Sequence, residues 1–294
     1  MPLLTEMVGL AGPPCRETLE DRWVMNYAAS VLDRNPTYFD NRNGRRLPAH
    51  PNYLSHQEWE AISALHEVIE GLTPDERQQG VHTYNDTTLY RPLFSGDQVT
   101  CVATVEGVDE HRAGARLTLR IDTTGKQGEA LATSVTSTIF RGVPLAGTAT
   151  GAAPPPQASV AEDDWRSEPD RTERIEIDSL AAHIFSECAR DYSPIHTDIA
   201  VAERAGLPGL ILHGTGLFGL AVSSLTNHEA NGDPTAVRRF GGRLGAMVLC
   251  PSTVRLEVRR HTTDPRRHRF DVLTEEGRRA IGAGFLELDE SPNH

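Results

Sequence analysis

The chain is predicted to be α+β and internally duplicated: two copies of one domain, each an antiparallel sheet wrapped round a long central helix. Three observations predict this. A stretch rich in Gly, Ala, Pro and acidic residues (147–169) has no apolar periodicity and reads as a linker between residues 1–146 and 170–294. Each part opens with a helical stretch that ends in an Asp-containing turn. Each then carries a helix followed by β-type segments, and self-similarity of this length means duplication.

The two turns run Asp33-Arg34-Asn35-Pro36-Thr37-Tyr38-Phe39-Asp40 and Asp191-Tyr192-Ser193-Pro194-Ile195-His196-Thr197-Asp198, with Asp, Pro and the final Asp at the same offsets. A Leu-Pro pair follows each (Leu47-Pro48 and Leu207-Pro208), which suggests those pairs as matching positions. Strands are predicted where apolar residues alternate with polar ones. In the first part these are Val99, Cys101, Ala103 and Val105, then Leu117, Leu119 and Ile121, then 133–141. In the second they are Val254, Leu256 and Val258, then Phe270 and Val272, then Ile281 and 285–288. The best-marked helix begins after Gly214-Thr215, with Leu217, Leu220, Ala221 and Leu225 at helical spacing on one face.

Composition excludes several classes. A net charge of −12 speaks against nucleic acid, which needs a basic face. No apolar run approaches the roughly 20 residues of a membrane span, and the N-terminal stretch lacks the basic segment of a signal peptide. The four cysteines (Cys15, Cys101, Cys188, Cys250) form no CxxC pair, so they predict neither a zinc site nor a disulfide framework and suit the reduced cytoplasm. Seven arginines crowd late in the chain (Arg238, Arg239, Arg243, Arg259, Arg260, Arg266, Arg267), a candidate cationic rim for a polyphosphate.

Asp191 and His196 are the residues with chemistry in them. Pro194 fixes the backbone between them, so an acid and an imidazole can project from one rigid turn, the usual equipment for paired proton transfers near neutral pH. Downstream, residues 210–213 form an apolar strand-like run that breaks at Gly214-Thr215 into the helix. The unpaired N–H groups of a helix's first turn form a ready site for a developing oxyanion, and Gly214 would let a ligand carbonyl come close. His213 is expected to orient the loop.

Residues 191–221 resemble the hydratase motif of the MaoC-like, R-specific (type-2) enoyl-CoA hydratases, Asp-x-Asn-Pro-(Ile/Leu)-His followed by an Ala-Gly segment and a His-Gly pair. The first part resembles the degenerate N-terminal domain of the two-domain members, including residues 91–97 and 140–142. The resemblance implies a double hot dog, with residues 1–146 accommodating substrate, 170–294 catalytic, and the halves packed as an intrachain pseudo-dimer that leaves a further homodimer open. It implies that Asp191 and His196 hold the water that adds to the double bond, and that the Gly214 N–H, with Thr215 beside it, polarises the thioester carbonyl. Ser193 stands where the motif has Asn, and Cys250-Pro251-Ser252 where a Pro-Gly-Asp turn is usual.

The activity so implied is reversible hydration of a trans-2-enoyl-CoA to the (R)-3-hydroxyacyl thioester, with an acyl-CoA or acyl carrier protein (ACP) thioester as substrate and no metal or cofactor of its own. Rivals are (3R)-hydroxyacyl-ACP dehydration, hydration of a branched or dicarboxylic enoyl-CoA, and a non-catalytic thioester-binding subunit. The first copy has Tyr38 where the second has His196, and a phenol is a poor base near neutrality, so it is expected to be silent. His50 and His82 read there as structural or substrate-lining. The irregular stretch 39–56 is expected to leave room for a bulky acyl group, with 47–54 as its lining.

Overall fold

A computed structural model describes residues 2–69, 72–73, 76–77, 80–151 and 164–289; most of the expected linker, residues 152–163, lies outside them. The helices are α1 (Asp21–Ser30), α2 (Ser55–Val68), α3 (Ala181–Ala189), α4 (Ile199–Arg204) and α5 (Gly214–Glu229). The longer strands are β1 (Gly80–Leu89), β2 (Gln98–His111), β3 (Gly114–Gly125), β4 (Ala130–Arg141), β5 (Arg171–Ile177), β6 (Val237–Leu244), β7 (Ser252–Arg260), β8 (Arg267–Thr274) and β9 (Arg279–Leu288).

The chain divides into two compact units. The first comprises Met1–Glu17, Gln57–Thr88 and Gln98–Ser159; the second comprises Thr18–His56, Leu89–Asp97 and Val160–His294. The opening helix and turn of the first copy therefore cluster with the second half of the sequence.

In the first unit the strands run in the order β2–β3–β4–β1. The predicted alternation holds: Val99, Cys101, Ala103 and Val105 on β2 are buried, opposite Leu117, Leu119 and Ile121 of β3, with Ala103 paired to Ile121 and Val105 to Leu119. Ala61, Leu65 and Ile69, spaced at four residues, join the same core, so α2 lays one apolar stripe on the sheet. Its other side is solvated, with Trp59 and Val68 exposed.

The second unit has the order β6–β9–β8–β7–β5. Val254, Leu256 and Val258 on β7 are buried and face Thr274, Val272 and Phe270 of β8. Here α5 differs from the one-faced helix expected, because every residue from Gly216 to Thr226 is buried, Ser223, Ser224 and Thr226 included. A helix buried on all sides is the true centre of its unit, and its polar side chains need partners inside.

Duplication is legible in the backbone. Leu32, just after α1, has φ 56°, and Arg190, just after α3, has φ 57°. The next residues, Asp33 and Asp191, donate their N–H to carbonyls five residues back, Ala28 at 3.0 Å and Ser186 at 3.1 Å. Asn35 (φ −63°, ψ 119°) and Ser193 (φ −63°, ψ 118°) then lead into short 3-10 turns, Pro36–Tyr38 and Pro194–His196. A left-handed non-glycine costs roughly 1–2 kcal/mol, and both copies bear this cost at the bend that aims the Asp.

The equivalence extends further, in a register the Leu-Pro pairs do not give. Ser95 N–H donates to Leu47 O and Ala49 N–H to Leu93 O, both 2.8 Å; Cys250 N–H donates to Leu210 O (3.0 Å) and Leu212 N–H to Val248 O (2.8 Å). Leu47 thus matches Leu210 rather than Leu207. The register then sets His50 against His213 and Pro51 against Gly214.

Candidate active site

All six residues singled out from the sequence lie in the second unit. Asp191 follows the left-handed cap of α3, and His196 ends the 3-10 turn that Pro194 starts. The His196 Nδ1–H donates to Ile211 O at 2.8 Å, which makes Nε2 the basic nitrogen of the ring. The ring stacks on His213, centroids 3.7 Å apart and planes inclined by 27°.

His213 caps α5 without a side-chain bond to it. Its Nε2 lies 3.2 Å from Asp191 O and 3.1 Å from Ser186 Oγ. A carbonyl can only accept, so Nε2 carries the proton, and Nδ1 is buried without a partner. The ring is clamped between the start of the Asp191 turn and α3, as an orienting residue should be, and Phe185 tilts against it at 4.9 Å.

Electrostatics keep both rings neutral. Burial pushes His213 down to about 3, against the Asp191 carbonyl that favours its charge. Burial and then the His213 ring bring His196 down to about 4, while the Ile211 carbonyl and Asp191 pull it up. Near neutrality His196 is an uncharged imidazole with a lone pair on Nε2.

Thr215 joins the two halves of the motif: its Oγ1–H reaches Asp191 Oδ2 at 3.4 Å from the first turn of α5. Ser193 makes no cap bond, whereas Asn35 at the matching place accepts from Thr37 N–H at 3.1 Å. The motif's Asn therefore survives in the first copy and is gone from the second.

Gly214 is explained by the protein's own packing. A Cβ there would come within 2.7 Å of Leu244 Cδ1. A Cβ at Gly216 would meet the Phe185 ring at 3.1 Å, and one at Gly219 would meet Val31 Cγ1 at 2.5 Å. Gly216 and Gly219 each cost the helix about 1 kcal/mol against alanine, and with Gly214 they make the start of α5 its intrinsically weakest part.

In the first copy Asp33, Tyr38 and His50 reproduce the constellation in altered form. Asp33 accepts from Asn35 N–H (3.0 Å) and Asn227 Nδ2 (3.1 Å). Tyr38 is fully buried with its hydroxyl unpartnered, and burial and the nearby Asp33 charge hold the phenol well above its ordinary range. Pro51, in Gly214's place, has no N–H to offer. The first copy thus has neither an imidazole at position 38 nor a backbone N–H at position 51.

Two surface expectations are corrected. Residues 47–57 are buried throughout, so 47–54 is core and larger side chains there would overpack rather than narrow a channel. An open cleft of about 300 Å³ in this region is lined by Asp21, Asn41, Gly44, Arg45, Arg46, Ser95 and Gly96. The late arginines are not a free rim: Arg238, Arg259, Arg260, Arg266 and Arg267 each lie within 4.0 Å of a carboxylate. Among the described residues no group of three or more His, Cys, Asp or Glu is placed to hold a metal ion. No described helix is long and apolar enough to cross a membrane.

Sequence reasoning missed the Ile211 carbonyl, which acts through the backbone and leaves no side-chain signature. It also missed Ser186 and Asn52, which the fold brings in from a preceding helix and from the first copy.

An imidazole with a fixed tautomer, a carboxylate tied to a helix's first turn and a glycine at that helix's N-terminus thus stand together in the second unit. Residues 162–278 match the MaoC like domain, and residues 6–134 the FAS1-like, dehydratase domain region. The chain is 31% identical over 98 residues to the peroxisomal enoyl-CoA hydratase 2 of Arabidopsis thaliana, covering 33% of this chain and 31% of that protein. It is 31% identical over 180 residues to 3-hydroxyacyl-thioester dehydratase X of Mycobacterium tuberculosis, covering 60% and 59%. The matched stretches therefore span about a third and three-fifths of these relatives. Among solved structures, a MaoC-like dehydratase from Phytophthora capsici superposes with TM-score 0.81 at 18% identity, covering 98% of each chain. A Mycobacterium tuberculosis protein described as having a double hot-dog fold superposes at 0.62 and 15% identity, covering 96% of each. Residues 162–278 thus carry a MaoC like domain and residues 6–134 a FAS1-like dehydratase region, and the fold is the double hot dog.

Proposed function

We propose that this chain is a hydro-lyase that reversibly adds water across a trans-2-enoyl thioester to give the (R)-3-hydroxyacyl thioester. The observation that carries the reading is the His196 Nδ1–H···O Ile211 bond, which leaves Nε2 as an uncharged base in the turn whose Asp191 is tied to the α5 N-terminus. In this reading His196 Nε2 takes a proton from water as the oxygen attacks C3. Asp191, in its acid form, gives C2 its proton, and the proton that His196 took from water passes to Asp191 to restore both groups for the next turnover. The Gly214 N–H donates to the thioester oxygen as it gains enolate charge, where a preorganised donor lowers the barrier most. Two carboxylate- and imidazole-mediated transfers need no metal or cofactor of the protein's own; coenzyme A arrives as part of the substrate.

The dehydration direction on ACP is the second reading, favoured by the match of residues 6–134 to a fatty-acid-synthase dehydratase region and by the likeness to a 3-hydroxyacyl-thioester dehydratase. One equilibrium covers both directions, so the carrier is what separates the readings. A panel of enoyl thioesters of short, medium and branched acyl groups, on CoA and on ACP, scored by kcat/KM, decides it. Turnover on at least one carrier is expected. Ligand binding without turnover on any member would leave a thioester-binding module instead.

A further inference from the structure

We infer that Asn52, contributed by the silent copy, is a positioning residue that holds the N-terminal turn of α5, and with it the Gly214 N–H, in place for the reaction; the inference rests on the proposed function.

A Cβ at 214, 216 or 219 would press on Leu244, Phe185 or Val31, and His213 lends α5 no side-chain cap. The turn that must present a still N–H is therefore the part of α5 least able to hold itself. Its support comes from outside. Asn52 Nδ2–H donates to Thr215 O at 2.9 Å, inside that turn. The second amide hydrogen has its own acceptor, Tyr27 Oη at 2.8 Å. Tyr27 stands edge-on to Phe185, and Phe185 tilts against His213.

Asn52 is itself fixed. Its N–H donates to His50 Nδ1 at 3.1 Å, so the proton on the ring sits on Nε2, which donates to Ser223 Oγ at 2.9 Å. Residues 50–52 thus touch α5 at Thr215 and Ser223, eight residues or about 12 Å apart along the axis. Asn52, His50 and Ser223 are all buried, at 7%, 1% and 5% exposure, where a satisfied polar network rigidifies its surroundings. The copy that lost its base and its oxyanion donor keeps its counterpart of His213, now turned to bracing the working helix. Misplacing a catalytic donor by about 1 Å can cost on the order of a hundredfold, so bracing of this kind acts on kcat rather than on affinity.

The experiment compares wild type with Asn52→Ala, and with Asn52→Gln, which keeps an amide on a longer arm and stands in if the alanine chain fails to fold. Hydrogen–deuterium exchange of the ligand-free full chain reports the turn directly. Amides within 213–219 should exchange at least about tenfold faster in Asn52→Ala, with partial recovery in Asn52→Gln. On a trans-2-enoyl-CoA, kcat should fall about tenfold or more with KM within about twofold. The infrared stretch of a bound substrate labelled with ¹³C at the thioester carbonyl should move back toward its solution frequency. Unchanged exchange in 213–219 overturns the inference whatever the activity does. Faster exchange with kcat and the carbonyl stretch unchanged also overturns it, since the turn then does not govern catalysis. If wild type turns over no thioester on either carrier and leaves the carbonyl unshifted, the proposed function itself fails, and Asn52 is a helix brace without a catalytic consequence.

Discussion

The imidazoles of His196 and His213 are stacked, centroids 3.7 Å apart, and each is held in one tautomer by a carbonyl: Ile211 O for His196, Asp191 O for His213. Two imidazoles this close, one buried and the other half-buried, oppose each other's protonation. His196 should therefore titrate near 4 rather than near the ordinary 6.5. The sign follows: the base is lost only as pH falls through about 4, and the rate has no histidine-linked decline between pH 6 and 8. Following the His196 Cε1–H resonance with pH checks this. A midpoint near 6.5 would mean that the ring is solvated and the stack is not as described.

Asp191→Asn and His196→Gln should each lower kcat by about a hundredfold or more, the range that positioned proton transfer supplies. The double variant should fall little further, because groups that act as one unit are not additive. Steady-state kinetics on the best thioester of the panel, with melting temperatures to show intact folding, is the check. Near-wild-type kcat in either single variant removes that residue from the chemistry.

Tyr38→Phe should leave kcat unchanged and should not lower the melting temperature, because the hydroxyl it deletes is buried without a partner. Tyr38→His in a His196→Gln background should restore no turnover. An imidazole at 38 would still face Pro51, which cannot donate to an oxyanion. Rescue above the His196→Gln background would show that the first copy retains a working donor.

Stability should respond to pH in two opposing ways. Burial lowers His50, His66 and His196 to about 4 and His213 to about 3, so the unfolded chain binds more protons below about 6.5, and stability falls as pH drops from there toward 4. Glu58 acts with the other sign. Its buried carboxyl, raised to about 7 despite the Ser134 hydroxyl that donates to it, contributes stability that is full below 4.5 and lost as pH rises through 7. Glu58→Gln should thus raise the melting temperature relative to wild type at pH 8 more than at pH 5. A difference independent of pH would mean that Glu58 is solvated.

Much of this was legible in the chain. The β2 and β7 stripes follow from alternation, and the Asp191 and His196 turn from spacing around Pro194. Long-range register was not. Leu47-Pro48 and Leu207-Pro208 look alike in sequence, yet the ladder to residues 93–95 and 248–250 matches Leu47 with Leu210. Backbone pairing decides that register, and no side chain announces it. In the first copy His50 reads as structural or substrate-lining, and its bond to Ser223 depends on the same hidden register. The α5 helix reads as one-faced because Ser223, Ser224 and Thr226 are polar. Their burial is satisfied in part by His50, Glu173 and Arg171, partners far away in sequence.

Asp191, His196 and the α5 N-terminus are proposed to hydrate an enoyl thioester on one face. Following the loss of enoyl thioester absorbance with the purified chain and no added metal or nucleotide, then resolving the 3-hydroxyacyl product on a chiral column, tests it most directly. Turnover that yields the R isomer is the expected result; an exclusively S product, or no turnover with any acyl group on either carrier, would overturn the proposed function.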